Sequence, residues 1–185
     1  MSALSSLYHV EFECDVEGNK VTDPVWGYKL TQRSKEARRE FRRNLVKRLG
    51  EPRRELPDYL RADPRLPYQK PPRWQYGLAF TNEQVMDCVA RFEIPLIEVS
   101  PDEHDIRLCD AIMKVTELLT AACKMEIHVT VPIDVENSWM VGLFDNYNWW
   151  SEQLVEEEEE EVVDIIRRAL NIESPLQWYY DSRQP

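Results

Sequence analysis

The stretch from Ser100 to about Cys123 leaves the chain little freedom in how it folds. Ser100-Pro101-Asp102-Glu103 is a strong helix start. The serine can cap exposed amides, proline suits the first helical position, and Glu103 stands where a capping box needs it. At 100° per residue, Leu108, Cys109, Ile112, Met113, Val115, Thr116, Leu119, Ala122 and Cys123 cover well over half the circumference. Only Arg107, Asp110, Lys114 and Glu117 form a polar ridge. A helix that apolar is expected to be covered on more than one side. Met125 to Val131 then alternates strictly, as a half-buried strand does.

With 185 residues, 43% of them hydrophobic, the chain can bury one sizeable core. Five glycines, twelve prolines and 31% charged residues fit a compact domain with an irregular, proline-rich segment. No apolar run approaches the ~20 residues that span a bilayer. Met1-Ser2-Ala3-Leu4 has no basic region ahead of an apolar stretch, so no signal peptide is expected. Cys14, Cys88, Cys109 and Cys123 form no C-x-x-C pair, and three of them fall on apolar arcs of predicted helices. They are expected to be mostly buried and reduced, in the cytoplasm or nucleus, with neither disulfides nor metal. The net charge of −11 is uneven: residues 1–74 hold 16 Lys/Arg against 11 Asp/Glu, and residues 75–185 hold 7 against 23. Such a split suits either self-neutralisation in one fold or two surfaces for different partners. The overall charge disfavours nucleic acid.

Along the chain, Leu7 to Cys14 and Val25 to Leu30 read as two strands joined through turn formers. A helix from Ser34 to Leu49 ends at Gly50 and Pro52; its like-charged pairs Arg38/Arg42 and Arg39/Arg43 repel by a few tenths of a kcal/mol each. From Glu51 to Arg73, six prolines forbid a long regular element, while Leu56, Tyr59, Leu60, Leu66 and Tyr68 give anchors for an ordered wrap. Trp74 to Phe80 is a strand, and Thr81-Asn82-Glu83-Gln84 opens a helix to about Phe92. Ile94 to Val99 reads as a short edge strand and Trp139 to Phe144 as a further strand. The last helix spans about Asn148 to Leu170, and Glu158 in its run of six glutamates (Glu156 to Glu161) falls on the apolar stripe. The aromatic tail Trp178-Tyr179-Tyr180 is expected to dock on the body.

Phosphate loops, nucleophile elbows and H-E-x-x-H helices are absent. The weak catalytic candidates are His128 and Glu126 on one strand face and His9 on another, which would need to converge; otherwise they are an ordinary solvated sheet face. His104 reads as a surface residue. Tyr147-Asn148-Trp149-Trp150 either stacks a ligand or closes a core at a strand–helix junction. For the charged helices, the partner-binding candidates are Arg39, Arg42, Arg43 and Glu158, with Glu158 expected to meet one of those arginines within the chain or in a second copy. The plainer alternative is a pair of solvated helix faces.

The pattern specifies an α+β fold: a mostly antiparallel sheet of four to six strands packed by three or four helices, in a single domain over 1–185 with a wrap at about 51–73. The expected function is a non-catalytic protein-interaction module using the basic helix, the acidic helix and the proline-rich loop, with a protein partner or self-association. The alternative is a small enzyme or ligand-binding protein with an aromatic-lined pocket near His128. No metal or cofactor is implied, no membrane is expected, and a small-molecule ligand is compatible with the second reading.

Overall fold

The computed structural model describes residues 10–63, 65–66 and 70–182. The fold is α+β, with a four-stranded and a two-stranded antiparallel sheet and five α-helices among the described residues. Strands β1 (Thr22–Asp23) and β2 (Gly27–Tyr28) form a small hairpin. It is prolonged by bridges between Phe12 and Leu30 and between Cys14 and Lys20. The predicted first strand therefore survives only as isolated bridges, and its start, Leu7 to His9, lies outside the described residues.

Helix α1 (Gln32–Leu49) starts at Thr31, whose hydroxyl accepts the Ser34 N–H, and stops at Gly50. After the wrap come β3 (Trp74–Phe80) and α2 (Asn82–Arg91), the latter opened by the Thr81–Gln84 capping box that its sequence predicts. Helix α3 (His104–Cys123) follows a single tight turn, Pro101–Glu103, in which the Glu103 carboxylate accepts from the backbone and hydroxyl of Ser100. Strand β4 (His128–Thr130) is shorter than the alternation suggests, because the Ile127 N–H turns back to the Thr120 hydroxyl at the helix end. Then follow β5 (Trp139–Asp145), α4 (Trp149–Glu152), α5 (Glu156–Leu170) and β6 (Gln177–Tyr180). The sheet order is β4-β5-β3-β6.

One face of this sheet carries the main core. Trp74, Leu78 and Phe80 of β3 and Val141 and Leu143 of β5 meet Val85, Cys88, Leu108, Val115 and Ile166 from α2, α3 and α5. The neighbouring residues Ala79, Met140 and Tyr179 form a smaller cluster on the other face. There burial, followed by the charge of Asp134, pushes the Tyr179 hydroxyl up to about 12.

The described part of the wrap lies on the body, with Leu56, Leu60 and Ala62 buried. Its fastener is Asn146, which is fully buried just past β5. The Asn146 side chain accepts the Trp74 N–H at 2.9 Å and donates to the carbonyls of Leu60 at 2.6 Å and Pro72 at 2.9 Å. Its backbone carbonyl accepts the Ala62 N–H. One amide thus joins the wrap to the first residue of the central strand. The neighbouring aromatics extend the clasp: the Tyr147 hydroxyl donates to Pro71, Arg73 lies over Tyr147, and Arg61 lies over Trp149. Of this aromatic group the structure uses Tyr147 and Trp149 internally, while Trp150 stays half exposed.

Two expected elements differ. Ile94 to Ser100 runs without helix, turn or bend, yet joins no strand. Its polar groups are taken by side chains of α3 instead: Asp110 accepts the Ile97 N–H, and Lys114 donates to the Pro95 carbonyl. The amide of Ile97 and the ammonium of Lys114 hold the Asp110 carboxyl below its usual range. The long last helix is also two helices, because Gln153 and Val155 adopt extended backbone. Among the described residues no helix is long and apolar enough to cross a membrane.

Candidate functional site

The break before Glu156 decides where the glutamates go. The buried stripe of α5 is Val162, Val163, Ile166, Ala169 and Leu170. Val163 and Leu170 shift its centre so that Glu159, two turns before Ile166, points toward the body. Glu159 is half-buried, and burial followed by the nearby Glu156 charge pushes its carboxyl up. Glu158 is exposed and forms no ion pair among the described residues, which corrects the expectation that it lies on the apolar stripe and meets an arginine within the chain. Glu156, Glu157, Glu160 and Glu161 are exposed as well.

The arginines of α1 turn elsewhere. Arg42 donates to the Asn137 carbonyl at 2.7 Å, Arg38 reaches the Ser138 hydroxyl, and Arg39 pairs with Glu136 at 3.5 Å. Arg38 also stacks on Trp26 at 4.3 Å. Arg43, with Lys35, Lys47 and Arg48, faces solvent. The basic and acidic helices therefore do not neutralise one another by direct ion pairs among the described residues.

His128 at the start of the outer strand β4 and Glu126 just before it are 3.8 Å apart, with side chains 70% and 81% exposed. So open a pair has no walls to exclude water or orient a substrate. His9 lies outside the described residues. Among the described residues no group of three or more His, Cys, Asp or Glu could hold a metal ion. All four cysteines are free, but Cys14 and Cys109 are exposed, Cys123 is intermediate and only Cys88 is buried. Mostly buried thiols are thus not what the fold makes. Cys109 lies on the side of α3 that nothing described covers, and Cys14 lies in the outer hairpin. Burial pushes the Cys88 and Cys123 thiols up, toward the protonated, unreactive form.

A cleft of about 340 Å³ lies not at His128 but between the β1–β2 hairpin and the start of α3, with Asp23, Gly27, Met86, Val99, His104 and Arg107 on its walls. Gly27 makes the closure possible. Its φ is +72°, and a Cβ there would stand 2.3 Å from the Pro101 carbonyl oxygen. A second, more open depression of about 520 Å³ follows the Ile94–Val99 stretch and shares Val99 and Arg107 with the first. Asp23 is committed to the amides of Val25 and Trp26, and the His104 Nε2 lies 3.0 Å from Asp105. Arg107 is exposed and makes no ion pair among the described residues. Ser100 also lines the cleft, and its hydroxyl donates to the Glu103 carboxylate at 2.9 Å as part of the helix start. The cleft can bind, but it does not offer two free carboxylates for acid–base work. Sequence reading could not find it. His104 and Arg107 look like surface residues until the hairpin, remote in sequence, closes against them.

Compared with protein-family models, with curated proteins and with solved structures, the chain matches none.

Proposed function

We propose that the chain is a non-catalytic protein-interaction module whose acidic helix α5 receives a basic surface of a protein partner. The observation that carries this is the outward row Glu156, Glu157, Glu158, Glu160 and Glu161, exposed and without an ion pair among the described residues. Stacking like charges on one helix costs a few tenths of a kcal/mol per adjacent pair, which a cationic partner would relieve. The outer face of α1, with Lys35, Arg43, Lys47 and Arg48, is a second surface of opposite sign. Arg39 and Arg42 serve it less, being turned toward residues 135–138. The proline-rich segment contributes less than its composition suggests, because its anchors Leu56, Leu60 and Ala62 are spent on the core, although Tyr59 and Leu66 stay exposed. The net charge of −11 supports a protein partner over nucleic acid, and reduced thiols in the cytoplasm or nucleus fit the cysteine pattern.

A second reading, a small-molecule carrier or enzyme, draws support from the cleft at His104 and Arg107 and not from His128. Its polar groups are few and mostly engaged, so the interaction reading is preferred.

The test is a photoreactive amino acid at Glu157 or Glu160, introduced in the cells the protein comes from, with Val16 in the outer hairpin as a control position. The expected result is a discrete adduct from the α5 positions only, lost when the remaining glutamates of the run become glutamine. Adducts equal from Val16, or unchanged in the glutamine variant, would overturn the proposal.

A further inference from the structure

Between Ile94 and Ser100 the chain joins no strand, yet it keeps the alternation of one. The carbonyl of Pro95 and the N–H of Ile97 both face α3, where Lys114 and Asp110 take them. In extended backbone successive residues aim their polar groups at opposite edges. Leu96 and Glu98 therefore present N–H and C=O at the other edge, and neither backbone makes a hydrogen bond among the described residues. The same segment lines the more open depression, together with Val89 of α2. That depression meets the cleft under the hairpin at Val99 and Arg107. The side chains of Arg107 and Glu98 are exposed and form no ion pair among the described residues. The other charged groups of the cleft are engaged, Asp23 with the amides of Val25 and Trp26 and His104 with Asp105.

We propose that this edge takes a strand from outside: an extended segment of a partner protein, lying along the two depressions with an acidic side chain on Arg107 and apolar residues two positions before and after it. An unpaired backbone edge pairs with extended backbone, not with a helix or a compact ligand. Alternate side chains of such a segment point the same way, so the apolar neighbours of the acid fall on Val89, Leu96 and Val99. Arg107, the uncommitted cation, lines both depressions, so the segment continues past it in both directions. The carboxylate it meets is therefore a side chain within the segment and not a chain end. Glu98 excludes a second acid opposite itself. This surface is separate from α5, so the inference stands without the reading of that helix.

The test selects peptides on the full chain from a library of random sequences displayed on phage. The selected peptides are expected to share one acid with apolar residues two positions to either side. Arg107→Glu should weaken their binding at least about tenfold, and a peptide whose acid is changed to lysine should prefer that variant to the parent chain. Because Arg107 is exposed, the variant keeps its fold, which circular dichroism checks. N-methylation along the peptide should abolish binding at alternate amides only. The amide hydrogens of Leu96 and Glu98, exchanging fast in the free chain, should become protected in the complex. The proposal is overturned by a library that yields no binder, by binding indifferent to Arg107→Glu, or by N-methylation tolerated at every amide. Protection along β4, the open edge of the sheet, in place of Leu96 and Glu98 overturns it too. So does a library that yields only peptides rich in lysine and arginine and lost when the α5 glutamates become glutamine, an outcome that leaves the reading of α5 standing.

Discussion

Replacing Asn146 with alanine is expected to remove about 3 kcal/mol or more of stability, a large share of the 5–15 kcal/mol that a domain of this kind holds. The side chain satisfies one N–H and two carbonyls inside the protein, and all three lose their partner together. Each buried group left unpaired costs about 1–3 kcal/mol. The loss should also free the wrap, so proteolysis within residues 61–72 should accelerate along with the fall in urea midpoint. Asn146→Asp separates the contributions. It keeps an acceptor for the Trp74 N–H but turns an anion toward two carbonyls, so burial and those carbonyls should push its carboxyl up. The sign follows: a folded-state value above the unfolded one binds protons on folding, so this variant should be least stable near neutral pH and recover as pH falls. An Asn146→Ala protein within ~1 kcal/mol of the parent would show that the wrap is held by its apolar anchors alone.

Gly77→Ala is expected to cost about 3 kcal/mol, the upper end for overpacking, and to lower the midpoint of thermal unfolding by about 6–12 °C. The ladder of β3 and β5 skips a residue here: Tyr76 faces Phe144 but Gly77 faces Gly142, leaving Leu143 as the bulge. The added Cβ would stand 1.8 Å from the Val141 carbonyl oxygen and 2.8 Å from its carbon, both backbone atoms that cannot step aside alone. Gly142→Ala should cost less. Its obstruction is the end of the Gln75 side chain, which can move if it gives up its bond to the buried Asp181. Equal effects at the two glycines, measured by urea denaturation, would mean that the bulge relaxes without strain.

Much of this architecture is legible before any coordinates. The Thr81–Gln84 box, the Ser100-Pro101 start and the strand composition of Trp74–Phe80 each depend on neighbours a few residues away. Local chemistry therefore fixes helices α2 and α3 and strand β3. The misreadings share a different cause. Ile94 to Val99 has a strand's composition, but a strand needs a free neighbour, and Asp110 and Lys114 reach its backbone first. Glu158 is misplaced because a helical wheel assumes one unbroken helix, while the extended Gln153–Val155 restarts it and Glu159 takes the inward position. Asn146 carries no local mark of its role: its three side-chain partners lie 72, 86 and 74 residues away. The cleft at His104 likewise exists only because Gly27, far upstream, allows close contact with Pro101. Contacts distant in sequence leave composition cues but no spacing, and the clasp at Asn146 and the cleft at His104 are both built from such contacts.

That helices α1 and α5 do not neutralise one another by direct ion pairs among the described residues is the claim on which the functional proposal rests. A double-mutant cycle tests it most directly, pairing Glu158→Gln with each of Arg39→Gln, Arg42→Gln and Arg43→Gln in monomeric protein. Urea denaturation should give coupling within ~0.3 kcal/mol of zero for all three pairs, the additivity of sites that do not touch. A coupling of about 1 kcal/mol or more for any pair would mean that the acidic and basic faces satisfy one another inside the chain, leaving α5 no reason to seek a cationic partner.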